Sequence, residues 1–165
     1  MKRKALIFPL KWILLSIFLV VFLAYYRTLG MYVWQDDHAT MFKLQHLEES
    51  AGHFGTGIYD RSSAYRGVFI LLAPIYYLFG NEPAAFYLAG IIAYFLAALA
   101  VYLLAKTLTD NKRIAFISSI VFASGYIGAE TLWRMTNSLH TIHTIIFLCF
   151  SLLTYKKFID SNKIS

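Results

Sequence analysis

Gly67-Val68-Phe69-Ile70-Leu71-Leu72-Ala73-Pro74-Ile75-Tyr76-Tyr77-Leu78-Phe79-Gly80 is apolar from end to end, with glycine at both limits and proline near its middle. Its 14 residues, as helix, reach about 21 Å, short of the roughly 30 Å hydrocarbon layer of a bilayer. Whether this segment crosses sets the topology of everything after it. The surroundings leave no doubt that a bilayer is the solvent. Of the 165 residues 59% are apolar and only 15% charged, against about 45–50% and 25% in soluble domains. Such a chain lacks the polar surface to coat a soluble globule. The formal net charge of +6 does not point to nucleic acid, because the basic residues are scattered between apolar runs. Cys149 is the one cysteine, so there is no disulfide framework and no cysteine zinc site. The composition specifies an all-α integral membrane protein.

Four longer stretches are predicted to span, at about 12–30, 84–105, 114–133 and 135–155. Met1-Lys2-Arg3-Lys4 resembles the start of a secretory signal, but Tyr25-Tyr26-Arg27 follows Ala24 where a small-residue cleavage site belongs. The first stretch therefore reads as an uncleaved signal-anchor. If the 67–80 segment stays on one side, the inside carries Lys2, Arg3, Lys4, Lys11, Lys106, Lys112, Arg113, Lys156, Lys157 and Lys163. The outside keeps Arg27, Lys43, Arg61, Arg66 and Arg134. Crossing would invert that ratio, against the positive-inside rule. The expectation is four transmembrane helices with both termini cytoplasmic, and the 67–80 segment surface-lying or re-entrant. Asp36, Asp37, Glu48, Glu49, Asp60, Glu82 and Glu130 then share the outer face, although acidic residues did not enter the choice.

The region 33–82 is the outer loop. Within it Met41, Leu44, Leu47 and Ala51 recur at helical spacing, which predicts an amphipathic surface helix beginning near Ala39. Gly52 to Ser63 is turn-rich, and the 67–80 segment supplies a second surface helix. In the second span Ala89, Ala93, Ala97 and Ala100 form a small-residue stripe suited to close packing.

Trp34-Gln35-Asp36-Asp37-His38 is the sharpest chemical feature. Two adjacent carboxylates follow the first span beside an aromatic interface anchor, placed to act as a base or metal ligand at the bilayer surface. The same residues suit a second role, capping the helix that follows, and the two roles are compatible. Glu130 lies near the outer end of the third span, where an ionisable group is a functional candidate; an ion pair with Arg134 is its plainer explanation. Tyr65-Arg66 can clamp an anionic group or simply anchor the next helix at the interface. His140 and His143 share a helix face, and a divalent metal held by Asp37 and His38, or by these histidines, is the one cofactor candidate. Phosphate-binding loops, dinucleotide fingerprints, zinc-protease and serine-hydrolase motifs are absent from the sequence.

The order of parts resembles the N-terminal portion of a GT-C type membrane glycosyltransferase, of the protein O-mannosyltransferase and aminoarabinose-transferase group. One span is followed by Asp36-Asp37 in the first outer loop and then by two surface helices. Tyr65-Arg66 leads into Leu71-Leu72 and Tyr77-Leu78-Phe79-Gly80. The second span opens Phe86-Tyr87-Leu88, and Thr107-Leu108-Thr109-Asp110-Asn111-Lys112-Arg113 turns into the third, which reaches Ala129-Glu130. The resemblance implies sugar transfer from a polyprenyl-phosphate carrier outside the cytoplasm. It implies Asp36 as base, Asp37 as its partner or a metal ligand, Arg66 and Arg134 against the donor phosphate, and Tyr65 and Glu130 in the same cavity. Gly67 departs from the group's pattern, where proline often follows the basic residue. About seven spans are usual in that group, so residues 1–165 are expected to form a single but incomplete module, completed by a partner chain or by more of the same one. The alternative is a non-catalytic four-helix membrane subunit that binds a partner through its alanine stripe.

Overall fold

The computed structural model describes residues 9–33, 35–45, 66–125, 132 and 135–162. Among these residues every regular element is helical. They are α1 (Leu10–Tyr25) with a 3-10 continuation (Tyr26–Gly30), α2 (Gln35–Gln45), α3 (Arg66–Phe79), α4 (Pro83–Thr109), α5 (Lys112–Ala123) and α6 (Met135–Asn162). Among the described residues three stretches are long and apolar enough to cross a membrane: Leu10–Gly30, Pro83–Thr109 and Thr141–Ser161.

α4 is the hub. It begins with Pro83 at the first helical position, where the missing N–H costs nothing, and packs against α1, the 3-10 turn, α3, α5 and α6. Phe86, Tyr87, Gly90, Ile91, Ala93, Tyr94, Ala97, Ala98, Ala100 and Tyr102 are buried along it. Of the predicted alanine stripe, Ala93, Ala97 and Ala100 are thus covered inside the chain, and their small side chains let neighbouring helices pack closely on α4. At its far end Asp110 takes the left-handed conformation, φ 49°, and its N–H bonds the Lys106 carbonyl at 2.9 Å. Asn111 then caps α5, its Oδ1 accepting from the N–H groups of Arg113 (2.9 Å) and Ile114 (3.3 Å). A left-handed stop followed at once by an N-cap folds α5 back along α4.

The third predicted span is not one unbroken helix. α5 has 12 residues and stops at Ala123, with Ser124 and Gly125 in a turn. Of the remainder of that stretch, residues 126–131 and 133–134 lie outside the described residues, and Leu132 is helical and buried. The interruption has local causes. Ser124 Oγ turns back onto the Ile120 carbonyl at 2.9 Å. Gly125 comes so close that an added Cβ would sit 3.3 Å from the carbonyl oxygens of Val121 and Phe122. α5 ends level with Tyr94, about 16 Å along α4 from its start at roughly 1.5 Å per residue.

The exposed carbonyls of that terminus are taken up by tyrosines. Tyr94 donates to the Phe122 carbonyl at 2.7 Å, and Tyr25 donates to the Gly125 carbonyl at 3.0 Å. The Tyr25 and Tyr94 rings meet edge to face at 5.2 Å, and Tyr94 stacks on Phe122 at the same separation. Lower on the interface Ser119 Oγ donates to the Ala98 carbonyl at 2.7 Å. Each bond gives a main-chain carbonyl between packed helices a hydroxyl partner.

α3 carries the 14 residues Arg66–Phe79, with Pro74 inside the helix. Gly80 ends it at φ 63°, a conformation that glycine adopts without strain, and its N–H bonds the Tyr76 carbonyl at 2.7 Å. α3 packs on α2, α4 and α6, burying Leu72 and Ala73 and leaving Tyr77, Leu78 and Phe79 exposed. The turn-rich stretch Gly52 to Ser63 is outside the described residues.

Candidate active site

α2 begins at Gln35, not near Ala39. Asp36 and Asp37 therefore sit in its first turn and do not cap it from outside. Negative charge at that end is favoured by the helix dipole, so the acidic pair can belong to the helix itself. Of the predicted apolar face, Met41 and Leu44 are buried and a carboxylate joins them one turn earlier; Leu47 and Ala51 lie outside the described residues. Asp37, Met41 and Leu44 are all buried, at 1%, 5% and 0% exposure. Their spacing of four and then three places them on one stripe. His38 and Phe42, one step round, are exposed. Asp37 is thus buried while His38 is exposed. Among the described residues no group of three or more His, Cys, Asp or Glu gathers to hold a metal ion.

The approach to α2 is held from α4. Tyr87, 1% exposed, donates its hydroxyl to the Tyr32 carbonyl at 3.1 Å. Tyr32 belongs to the non-helical stretch 31–33 that follows the 3-10 turn. The Asp37 carboxylate is close enough for its charge to act on the Tyr87 phenol. α2 itself packs against α3 and α6. A buried acid is thus brought within electrostatic reach of the end of α4 where Pro83 starts.

Of the other sequence-predicted residues, Arg66 is the first residue of α3, and Asp36 is the second of α2. His140 and His143 lie in the opening turns of α6, and the His143 side chain is half-buried. Tyr65, Glu130 and Arg134 lie outside the described residues. Sequence reasoning did not single out Tyr87, Tyr94 or Tyr25. Their signal was present: a tyrosine inside an apolar run carries a hydroxyl that must find a partner, and the partners here are main-chain carbonyls.

Comparison with known proteins falls on the part of the chain just past the acidic pair. The model of the dolichyl-phosphate-mannose-protein mannosyltransferase family matches residues 67–165. No curated protein and no solved structure matches the chain. The match opens at Gly67, in the first turn of α3, and runs through the α4 hub, the α5 break and all of α6. It covers more than half of the sequence and coincides with the helices onto which α2 docks. The chain belongs to the dolichyl-phosphate-mannose-protein mannosyltransferase family.

Proposed function

We propose that this membrane glycosyltransferase, of mannosyltransferase type, moves a sugar from a polyprenyl-phosphate carrier to an acceptor hydroxyl on the extracytoplasmic side, and that the acidic pair of α2 supplies the base. The observation that carries the reading is the burial of Asp37 on the packed stripe of α2, against helices matched by the family. A carboxylate spends free energy when it leaves water, and a purely structural position is more cheaply filled by an apolar residue.

The chemistry is a substitution at the anomeric carbon. One carboxylate of the pair takes the proton of the acceptor hydroxyl, and the resulting oxygen bonds to that carbon. The carbon–oxygen bond to the carrier phosphate breaks, and the polyprenyl phosphate leaves with the electron pair. Arg66 and Arg134, with Tyr65 and Glu130 near them, are the proposed groups around the departing phosphate, because fixed cations are most effective where charge develops. Both termini are proposed to be cytoplasmic, on the distribution of lysine and arginine. The small-residue stripe that a partner-binding subunit would present is already covered within the chain, which favours the catalytic reading.

The test is transfer from polyprenyl-phosphate mannose in membranes carrying the full chain, with Asp36→Asn and Asp37→Asn expressed to the wild-type level. Removal of the base lowers transfer by about 10²–10⁴-fold in at least one variant. Wild-type rates in both would remove the pair from the mechanism.

A further inference from the structure

We propose that Tyr87 is a positioning residue: its phenol, bonded to the Tyr32 carbonyl, fixes the 31–33 stretch on α4 and so sets where α2 holds Asp37. The inference rests on the reading of the acidic pair as the base and deepens it.

Three features of the geometry support it. Residues 31–33 are non-helical, so their carbonyls lack the partners that a helix supplies, and Tyr87 provides one at 3.1 Å. Tyr87 is fully buried on the most enclosed helix, so its ring cannot follow the loop if the loop shifts. Asp37 lies within electrostatic reach of the same phenol. The bond spans 55 positions of sequence and joins the segment ahead of the family match to the helix at its centre. Met31 and Val33 on either side pack against the core, and the phenol adds a directional hold on the carbonyl between them. Tyr32 itself is 89% exposed, and its side chain has little hold on the rest of the chain.

Tyr87→Phe keeps the ring and deletes only the hydroxyl. The experiment uses the full chain in membranes and two readouts. The first is independent of activity: Met41→Cys places a thiol on the buried face of α2, and its labelling by an impermeant maleimide is timed with and without Tyr87→Phe. The expected result is labelling about tenfold faster in the double variant, through more frequent opening of α2. A thiol at Ala97→Cys, in the α4 core, should label at the same rate in both backgrounds, which separates local release from general loosening. The second readout is transfer from polyprenyl-phosphate mannose. Misplacement of a base predicts a fall in kcat of about ten- to a hundredfold with the donor KM within twofold. Ser119→Ala, which removes a buried hydroxyl–carbonyl bond elsewhere on α4, should leave kcat unchanged.

Unchanged Met41→Cys labelling in Tyr87→Phe overturns the proposal, as does equal acceleration at Ala97→Cys. A raised donor KM with unchanged kcat also overturns it. If Asp36→Asn and Asp37→Asn both transfer normally, the functional reading fails instead, and the labelling result alone decides whether Tyr87 seats α2.

Discussion

α4 and α6 are nearly equal in length, 27 and 28 residues, and both contain a stretch apolar enough to span. Their fates differ. Within the apolar window of α4 44% of residues are buried, against 11% in that of α6. The difference is in side-chain size and in where hydroxyls sit. α4 alternates alanines and a glycine with tyrosines, so neighbouring backbones come close, and Tyr87 and Tyr94 each find a carbonyl to bond. α6 turns Phe147, Leu148, Phe150 and Leu152 outward, and lipid receives such side chains as well as protein would. Hydrophobicity decides that a helix enters the membrane; small residues and satisfiable hydroxyls decide that it sits in the middle.

The largest effect should come from crowding the hub. Ala97→Leu adds side-chain volume at a position with no exposure and should destabilise the chain by about 1–3 kcal/mol, read as earlier thermal unfolding in detergent micelles. A neutral outcome would mean that α5 and α1 can retreat from α4, and that the stripe is not what sets their approach. Tyr94→Phe should cost less, about 1 kcal/mol, because the Phe122 carbonyl loses the phenol but retains the Gly125 N–H at 3.2 Å. Phe147→Ala on the outward face of α6 should change stability by no more than about 0.5 kcal/mol in the same assay. A loss comparable to that of Ala97→Leu would show that the outward face of α6 is packed against something and would erase the contrast with α4.

The long helices were legible because twenty apolar residues in a row admit few other structures. The Asp110–Asn111 turn was legible as a short connection, and its left-handed residue followed by a side-chain cap is the local chemistry that makes it tight. The start of α2 was misread for a physical reason. Gln35, Asp36 and Asp37 are poor advertisements for a helix interior, yet acids are welcome in a first turn, so the cap-like residues became helical. The end of α5 was missed because Ser124 and Gly125 are small and interrupt no hydrophobic pattern; only their tertiary contacts reveal the break. The acidic pair was visible as a motif. That Asp37 turns inward while His38 turns outward was not, because the phase of a helix depends on where it begins.

The two phenols at the end of α5 bear on how the chain is made. Tyr25 and Tyr94 precede Phe122 and Gly125 in the sequence, so a ribosome releases both donors before either acceptor. A 12-residue helix ending in bare carbonyls is a poor tenant of lipid by itself. Vectorial synthesis spares it that exposure: α1 and α4 are on hand to receive α5 as it emerges. A circular permutation that delivered α5 ahead of α1 would keep every contact of the finished molecule and still lose that advantage.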